Sequence, residues 1–143
     1  TLVFTTYIEN YGRVPIRTAG PPSGTAYRSD QNYNTLAVEM DQESYHQQAG
    51  VWRFGINFDI SQTDFPYRWA IGKPEELRCE TVEGYEQCFL DPGKRGTVSG
   101  SIEMVGPFPR DQIYAWGGLI HEYVGISAQN NYVDQVSLSI DEP

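Results

Sequence analysis

Apolar and polar residues alternate along most of this chain, a pattern that is typical of half-buried β-strands. From Val51 to Ile60, every second residue is a large apolar one, and the residues between them are mainly polar or small. A period of two over such a length predicts an antiparallel strand with one buried face. Residues 35–41 and 98–104 alternate in the same way, and the loop 42–50 would join the first of these strands to 51–60 as a long hairpin.

Further strand candidates cover the rest of the sequence. They are Leu2–Ile8, Thr25–Arg28, Tyr67–Ile71, Cys79–Leu90, Gln112–Trp116, Leu119–Ile126 and Tyr132–Ile140. Gly and Pro clusters at 20–24, 91–94 and 117–118 predict turns between them. With 14 Gly, 9 Pro and 10 Tyr, the composition favours strands and predicts no convincing helix. We therefore predict one domain over residues 1–143, an all-β antiparallel β-sandwich of jelly-roll type with about nine or ten short strands. A compact barrel is the alternative.

The chain has two cysteines, Cys79 and Cys88, and the residues between them centre on Gly84. This spacing predicts a hairpin of two short strands, crosslinked at its open end. A disulfide here would imply a secreted or periplasmic protein, because structural disulfides persist mainly outside the reducing cytosol. A pair of buried free thiols is the alternative.

The composition is acidic, with 19 Asp and Glu against 10 Lys and Arg and a formal net charge of −9. Nucleic acids and anionic membranes need a basic protein surface, so we expect neither as a partner. No apolar run approaches the roughly eighteen residues of a membrane-spanning helix, so we expect no membrane insertion. Neutral or cationic partners fit this charge better. Residues 141–143, Asp-Glu-Pro, are typical of a linker, which leaves fusion to further domains open.

Three carboxylates, Glu39, Asp41 and Glu43, occupy alternate positions at the end of the predicted strand 35–41 and just beyond it. Alternation would place them in one row, and paired carboxylates are the usual means of general acid and nucleophilic catalysis on glycosides. The pattern resembles the Glu-x-Asp-x-Glu strand of glycoside hydrolase family 16, a β-jelly-roll family of retaining enzymes. The resemblance implies Glu39 as nucleophile, Asp41 as its electrostatic helper and Glu43 as acid/base. An acidic, solvent-facing strand and a cation site are the alternatives.

Two further resemblances concern lectin-like sandwiches. Residues 34–41 are similar to the metal-site strand of legume lectins, although Arg53 stands where their His ligand is expected, so the fold is implied but the two-metal site is not. Residues 132–140 resemble the closing strand of galactose-binding-like jelly rolls, which include several families of carbohydrate-binding modules. That resemblance implies Asp134 and Glu9 as ligands of a structural calcium, a cation that binds about six to eight oxygen atoms. A final edge strand with a solvated Asp is the alternative.

Aromatic residues make up 13% of the chain, more than one small core needs. Rings bind sugars because the C–H face of a pyranose stacks on them, while polar neighbours pair with its hydroxyls. The rings in or beside predicted loops are Tyr45, Trp69, Tyr85, Tyr114 and Trp116. Polar side chains near them are Gln47, Gln48, Arg68, Gln112 and His121. Packing under a loop is the alternative role for each ring.

Other chemistry lacks a motif in this sequence. There is no paired Cys and His spacing for zinc, no Gly-x-Ser-x-Gly hydrolase motif and no Gly-rich phosphate loop. We therefore expect no cofactor beyond a structural calcium. The favoured hypothesis is a secreted, non-catalytic, lectin-like domain that binds glycan or polysaccharide. Two alternatives stay open: a structural or interaction domain of adhesin type, and a small retaining glycosidase similar to family 16.

Overall fold

The computed structural model describes residues 1–39 and 49–140. Within this part, eleven strands and one α-helix follow one another. The strands are β1 Leu2–Glu9, β2 Ile16–Thr18, β3 Ala26–Arg28, β4 Trp52–Phe58, β5 Tyr67–Ala70, β6 Arg78–Val82, β7 Tyr85–Leu90, β8 Arg95–Glu103, β9 Gln112–His121, β10 Gly125–Ile126 and β11 Val133–Ser139. The helix α1, Tyr33–Glu39, lies between β3 and β4, and short 3₁₀ turns precede β6 and β11.

The strands form two curled sheets that pack as a sandwich. The smaller sheet has the order β1-β8-β3. The larger has the order β10-β9-β4-β2-β7-β6, with β11 also paired to β9 and β5 to β4. Most neighbours are antiparallel, whereas β3 with β8 and β2 with β4 are parallel. The predicted all-β sandwich is thus confirmed. The two parallel pairs differ from the purely antiparallel arrangement that the sequence predicted.

Aromatic side chains fill the space between the sheets. The fully buried Trp69 ring packs edge-on against Phe4, with 4.7 Å between ring centroids, and against Tyr27 at 5.1 Å. Its Nε1 donates to the Thr25 carbonyl at 3.0 Å, so its polar atom is paired. A Cβ on Gly100 would come within 2.6 Å of the indole, so this approach to β8 requires glycine. Trp69 is a core residue, and its prediction as a surface ring is wrong.

A pair of glycines lies inside β9, where the sequence predicted a turn. A Cβ on Gly117 would come within 2.7 Å of Phe54, and one on Gly118 within 2.5 Å of Phe65. Both faces of the strand are therefore covered by rings, and the glycines supply space rather than a chain reversal. The two strands predicted around them are mainly one, because β9 continues through the pair.

The strand predicted at 35–41 is wrong, because the chain is helical through Glu39. Asn32 Oδ1 accepts a hydrogen bond from the backbone N–H of Thr35 at 3.0 Å, and Thr35 Oγ1 accepts one from the backbone N–H of Asn32 at 2.9 Å. This reciprocal cap satisfies an N–H group that the first helical turn leaves without an intrahelical partner. Leu36 and Ala37 are adjacent and both buried, which the alternation of a strand would not produce.

An ion network lies buried on the outer face of the larger sheet. Glu122, in the turn after β9, pairs with Arg53 of β4 at 3.2 Å and with Arg68 of β5 at 2.8 Å. Burial lowers the pKa of the Arg53 guanidinium, although the Glu122 carboxylate opposes that effect. Arg53 Nε donates to the Ala19 carbonyl at 2.8 Å, and the Tyr33 ring of α1 lies over Arg68 at 4.3 Å. Through the two arginines, this network joins β4 and β5 to the turn after β9, to the loop at Ala19 and to the helix.

Glu122→Gln should destabilise the fold by about 3–5 kcal/mol, because it leaves two buried guanidinium groups without a counter-charge. Chemical denaturation monitored by circular dichroism measures this difference. Glu103→Gln, at the exposed end of β8, is the matched control and should change stability by less than about 0.5 kcal/mol. Equal stability of both variants would show that the network contributes little.

The predicted disulfide between Cys79 and Cys88 is confirmed, and it joins β6 to β7 across their hairpin. Glu83 and Gly84 form the turn with φ of 52° and 84°. Two consecutive positive φ values are typical of the type I′ turn that fits the twist of a hairpin. The hairpin lies at an edge of the larger sheet and most of its side chains are exposed, so the bond crosslinks a peripheral element.

Reduction of this disulfide should loosen the hairpin and leave the sandwich folded, because the core lies between other strands. Hydrogen exchange should rise in 78–90 on adding reductant, while the far-ultraviolet circular dichroism changes little. Global unfolding under the same conditions would contradict this expectation.

Candidate functional site

Three aromatic side chains come together on the outer face of the larger sheet. The rings of Trp116 and Tyr132 stack, with 4.8 Å between centroids and 27° between planes. Tyr114 precedes Trp116 by two positions on β9 and therefore lies on the same face. Tyr132 is 61% exposed and Tyr114 39%, whereas Trp116 is half-buried. We call these three residues the aromatic patch.

The alternation of β9 sets the direction of two of these rings. Ile113 and Ala115 are buried in the core between the sheets, with 0% and 2% of their surface exposed. Successive side chains of a strand point to opposite faces, so Tyr114 and Trp116 point away from that core. Solvent exposure of these rings is thus a direct consequence of the pattern that buries their neighbours.

The third ring comes from the start of β11. This strand pairs with β9 and shifts register between Val133 and Val136, as at a β-bulge. Tyr132 comes just before it with a φ of 55°, which is uncommon for residues other than glycine. The backbone N–H of Tyr132 donates to Asn131 Oδ1 at 2.8 Å, so a local hydrogen bond supports this conformation. The irregular start of β11 is what brings Tyr132 onto Trp116.

Uncharged hydrogen-bonding groups border the aromatic patch. Ser137 of β11 lies opposite Tyr114 in the strand register, and Gln112 Nε2 donates to its hydroxyl. Gln135 lies within the irregular part of β11 and is exposed. Amides and hydroxyls both donate and accept hydrogen bonds, so this border can pair with ligand hydroxyl groups.

The structure brings together two of the rings predicted to bind ligand, Tyr114 and Trp116. Tyr85 is 76% exposed, but it lies on the hairpin at the opposite edge of the larger sheet. Trp69 is in the core, and Tyr45 lies outside the described residues. A continuous surface built from all the predicted rings is therefore absent among the residues that the structure describes.

The polar side chains predicted beside these rings are also dispersed. Gln112 borders the aromatic patch, whereas Arg68 belongs to the buried ion network. His121 stacks on Trp52 with 4.3 Å between centroids, and its Nε2 lies 3.1 Å from a backbone carbonyl oxygen. This stack and hydrogen bond give His121 a structural role. Residues 47 and 48 lie outside the described part of the chain.

Tyr132 is the member of the aromatic patch that sequence reasoning missed. Alternation over 132–140 places it in phase with the apolar positions of the last strand, so it looks like another buried residue. The useful signal is the Asn130-Asn131 pair before it, because Asn favours turns and tolerates irregular backbone. A turn at this point moves Tyr132 out of the strand pattern.

The carboxylate row expected from the family 16 resemblance is wrong at its first residue. Glu39 ends α1 instead of lying on a strand, and Gln31 Nε2 donates to it at 2.7 Å. Asp41 and Glu43 lie outside the described residues. The strand geometry that would align a nucleophile with an acid/base is therefore not available to Glu39.

The two predicted calcium ligands lie on different strands, Glu9 on β1 and Asp134 on β11. Hydrogen bonds from Tyr11 and Arg95 lower the pKa of Glu9, and Arg95 Nη2 lies 2.6 Å from its carboxylate. In residues 1–39 and 49–140, the one group of three potential metal-ligand side chains consists of the disulfide cysteines with Glu86. Its sulfurs are bonded to each other, and calcium at Glu9 and Asp134 stays a prediction.

The chain matches no protein-family model, and no curated protein or solved structure is significantly similar to it. The one α-helix among the described residues has 7 residues, too few to span a membrane. The chemistry of the chain's own surface is therefore the basis for any functional proposal.

Proposed function

We propose that this chain is a non-catalytic carbohydrate-binding domain and that its ligand contacts the aromatic patch. The observation that supports this proposal is the stack of Tyr132 on Trp116, with Tyr114 on the same exposed face. Clustered exposed rings do not stabilise the core between the sheets, and exposed apolar patches commonly mark binding sites. Their hydrogen-bonding border provides the second kind of contact that a sugar requires.

Neutral glycans are the ligand class that fits this surface best. The aromatic patch and the border side chains Gln112, Gln135 and Ser137 carry no formal charge. The protein as a whole carries a formal net charge of −9, so an acidic polysaccharide would be repelled over longer distances. We propose that a pyranose stacks on an exposed tyrosine ring while its hydroxyls pair with the border amides.

The disulfide supports a location in which such a ligand occurs. Cys79 and Cys88 are bonded on an exposed hairpin, where a reducing cytosol would have access to them. We propose a secreted or periplasmic protein, and glycans of cell surfaces or of the extracellular medium as its partners.

Tyr132→Ala should weaken glycan binding about fivefold or more, because truncating an aromatic contact residue commonly costs over about 1 kcal/mol. A glycan array identifies the ligand, and titration calorimetry then measures the affinity. Tyr85→Ala is the matched control, since it removes an even more exposed tyrosine at the opposite edge of the sheet.

Wild-type protein that binds no neutral glycan on the array would contradict the proposed function. Weaker binding by Tyr85→Ala, with Tyr132→Ala unchanged, would place the site on the hairpin instead of the aromatic patch.

Chelator should reduce glycan binding only if calcium supports the site. If Asp134 holds calcium as the resemblance implies, Asp134→Asn should bind glycan as weakly as chelator-treated wild type. Added calcium should then restore glycan binding to the wild type but not to Asp134→Asn. Repeating the array with and without chelator measures this. Identical binding in both conditions would rule out a calcium requirement and leave the role of the aromatic patch intact.

A further inference from the structure

Among the described residues, no strand pairs with the outer edge of β1 in the smaller sheet. β1 pairs with β8 from Leu2 to Glu9 and lies at the end of the sheet order. Just beyond β1, the Asn10 backbone N–H donates to the Lys94 carbonyl at 3.0 Å. Because antiparallel bonding alternates, the even-numbered residues of β1 bond to β8. Val3, Thr5, Tyr7 and Glu9 therefore direct their backbone N–H and C=O groups to the open edge.

The other side of β8 agrees with this assignment. The carbonyl of Ser99 accepts from Gly24 at 2.7 Å, and that of Glu103 accepts from Ser29 at 2.8 Å. Odd-numbered residues of β8 thus bond towards β3, which leaves its even-numbered residues for β1.

A cleft follows this edge on the side of the larger sheet. Two adjoining hollows of about 330 and 520 Å³ share the residues Thr6, Phe54 and Val133. Together their walls include every residue of β1, and the apolar part includes Phe4, Ile56 and Ala115. We call this space the β1 cleft. It gives an added strand apolar surface beside the free backbone groups.

Four other edge strands in the described chain are protected against such pairing. β3 and β10 are very short, β11 has an irregular register, and β6 carries Arg78 and Glu80 next to the disulfide. Short strands, bulges and charges are the usual means of blocking edge-to-edge association. β1 is 8 residues long, is neither lysine- nor proline-containing, and leaves Val3 72% exposed.

The charge around the β1 cleft indicates what binds there. The charged residues that line it are Glu9 and Asp134, both acidic, and Arg95 already neutralises Glu9. Asp134 is exposed on β11 and lines the same hollow as the first half of β1. A second copy of this chain would bring another formal charge of −9 and is disfavoured by repulsion.

We propose that the β1 cleft binds an extended basic segment of another protein, which adds to the edge of β1 as a further strand. Its backbone pairs with Val3, Thr5 and Tyr7, alternate apolar side chains enter the cleft, and a Lys or Arg pairs with Asp134. Strand addition of this kind derives affinity from main-chain hydrogen bonds and specificity from alternate side chains. The proposal does not depend on glycan binding, because the backbone groups of β1 carry it. Trp116 of the aromatic patch also lines the β1 cleft, so the two surfaces adjoin at that residue.

A displayed library of random octapeptides, selected on the wild-type protein, tests this proposal. Enriched peptides should alternate apolar residues and carry net positive charge. N-methylation at every second residue, in the phase that bonds to β1, should abolish binding, while the same change in the other phase should not. No enrichment, or enrichment of acidic peptides, would overturn the proposal.

Thr5→Pro provides the matching change in the protein. It removes an N–H that points to the open edge and spares the β1–β8 hydrogen bonds, so the sheet should survive. We expect peptide binding to weaken about tenfold. Thr5→Val keeps the N–H and is the control. Equal binding by both variants would exclude strand addition at β1.

Asp134→Asn keeps the proposal testable should Thr5→Pro fail to fold. It leaves β1 intact, and Asn tolerates the positive φ of 49° at this position. With chelator present throughout, so that calcium does not contribute, binding of the basic peptides should fall several-fold and lose much of its salt dependence. Unchanged affinity and salt dependence would refute the charge argument. Self-association of the wild type that Thr5→Pro abolishes would assign the cleft to a second copy, and would overturn the proposed partner.

Discussion

A single carboxylate, that of Glu122, pairs with two arginines in the outer layer of the larger sheet, the buried Arg53 and the largely buried Arg68, and the surrounding architecture depends on that contact. Two cations with one anion leave a net positive charge in a largely buried place. Arg53 Nη2 has no hydrogen-bond partner among the described residues, whereas other donors of the two arginines reach backbone carbonyls. Arg68 does so by donating to the Phe65 carbonyl at 2.8 Å, and this holds the loop before β5 on the sheet. The Tyr33 ring of α1 packs against the guanidinium groups of both arginines. Helix, loop and strands are therefore positioned by the cost of burying charge.

The two proposed binding surfaces use different physical properties of neighbouring strands. The aromatic patch consists of side chains on the outer face of β9 and at the start of β11, and its border is uncharged. The β1 cleft lies on the inner side of the same two strands and offers backbone groups beside an acidic residue. The irregular register of β11 contributes to both, because it follows Tyr132 directly and contains Asp134. Trp116 belongs to the aromatic patch and also lines the β1 cleft, so the two surfaces adjoin at this residue.

Much of the strand content could be predicted because alternation is a local property. β1, β4 and β8 lie where period-two patterns occur, and the hairpin follows from Cys79, Gly84 and Cys88. The helix at 33–39 could not be predicted in this way, since the same residues also alternate and only the cap at Asn32 decides against a strand. The candidate site was half predicted: the phase of Tyr114 and Trp116 is visible in the sequence, whereas the approach of Tyr132 requires the pairing of β11 with β9.

Sequence alone therefore determined the all-β class, the crosslinked hairpin and the acidic, aromatic-rich composition, because residue counts and short-range periodicity carry that information. Tertiary structure decided which rings are covered, which strand has a free edge and which charges meet. Glu122 and Arg53 are 69 residues apart in the chain. Gly100 lies in the smaller sheet and leaves room for the ring of Trp69, which lies in the larger sheet. Contacts of this kind arise from packing between distant segments. No local pattern encodes them, because each partner is an ordinary residue until the sheets assemble.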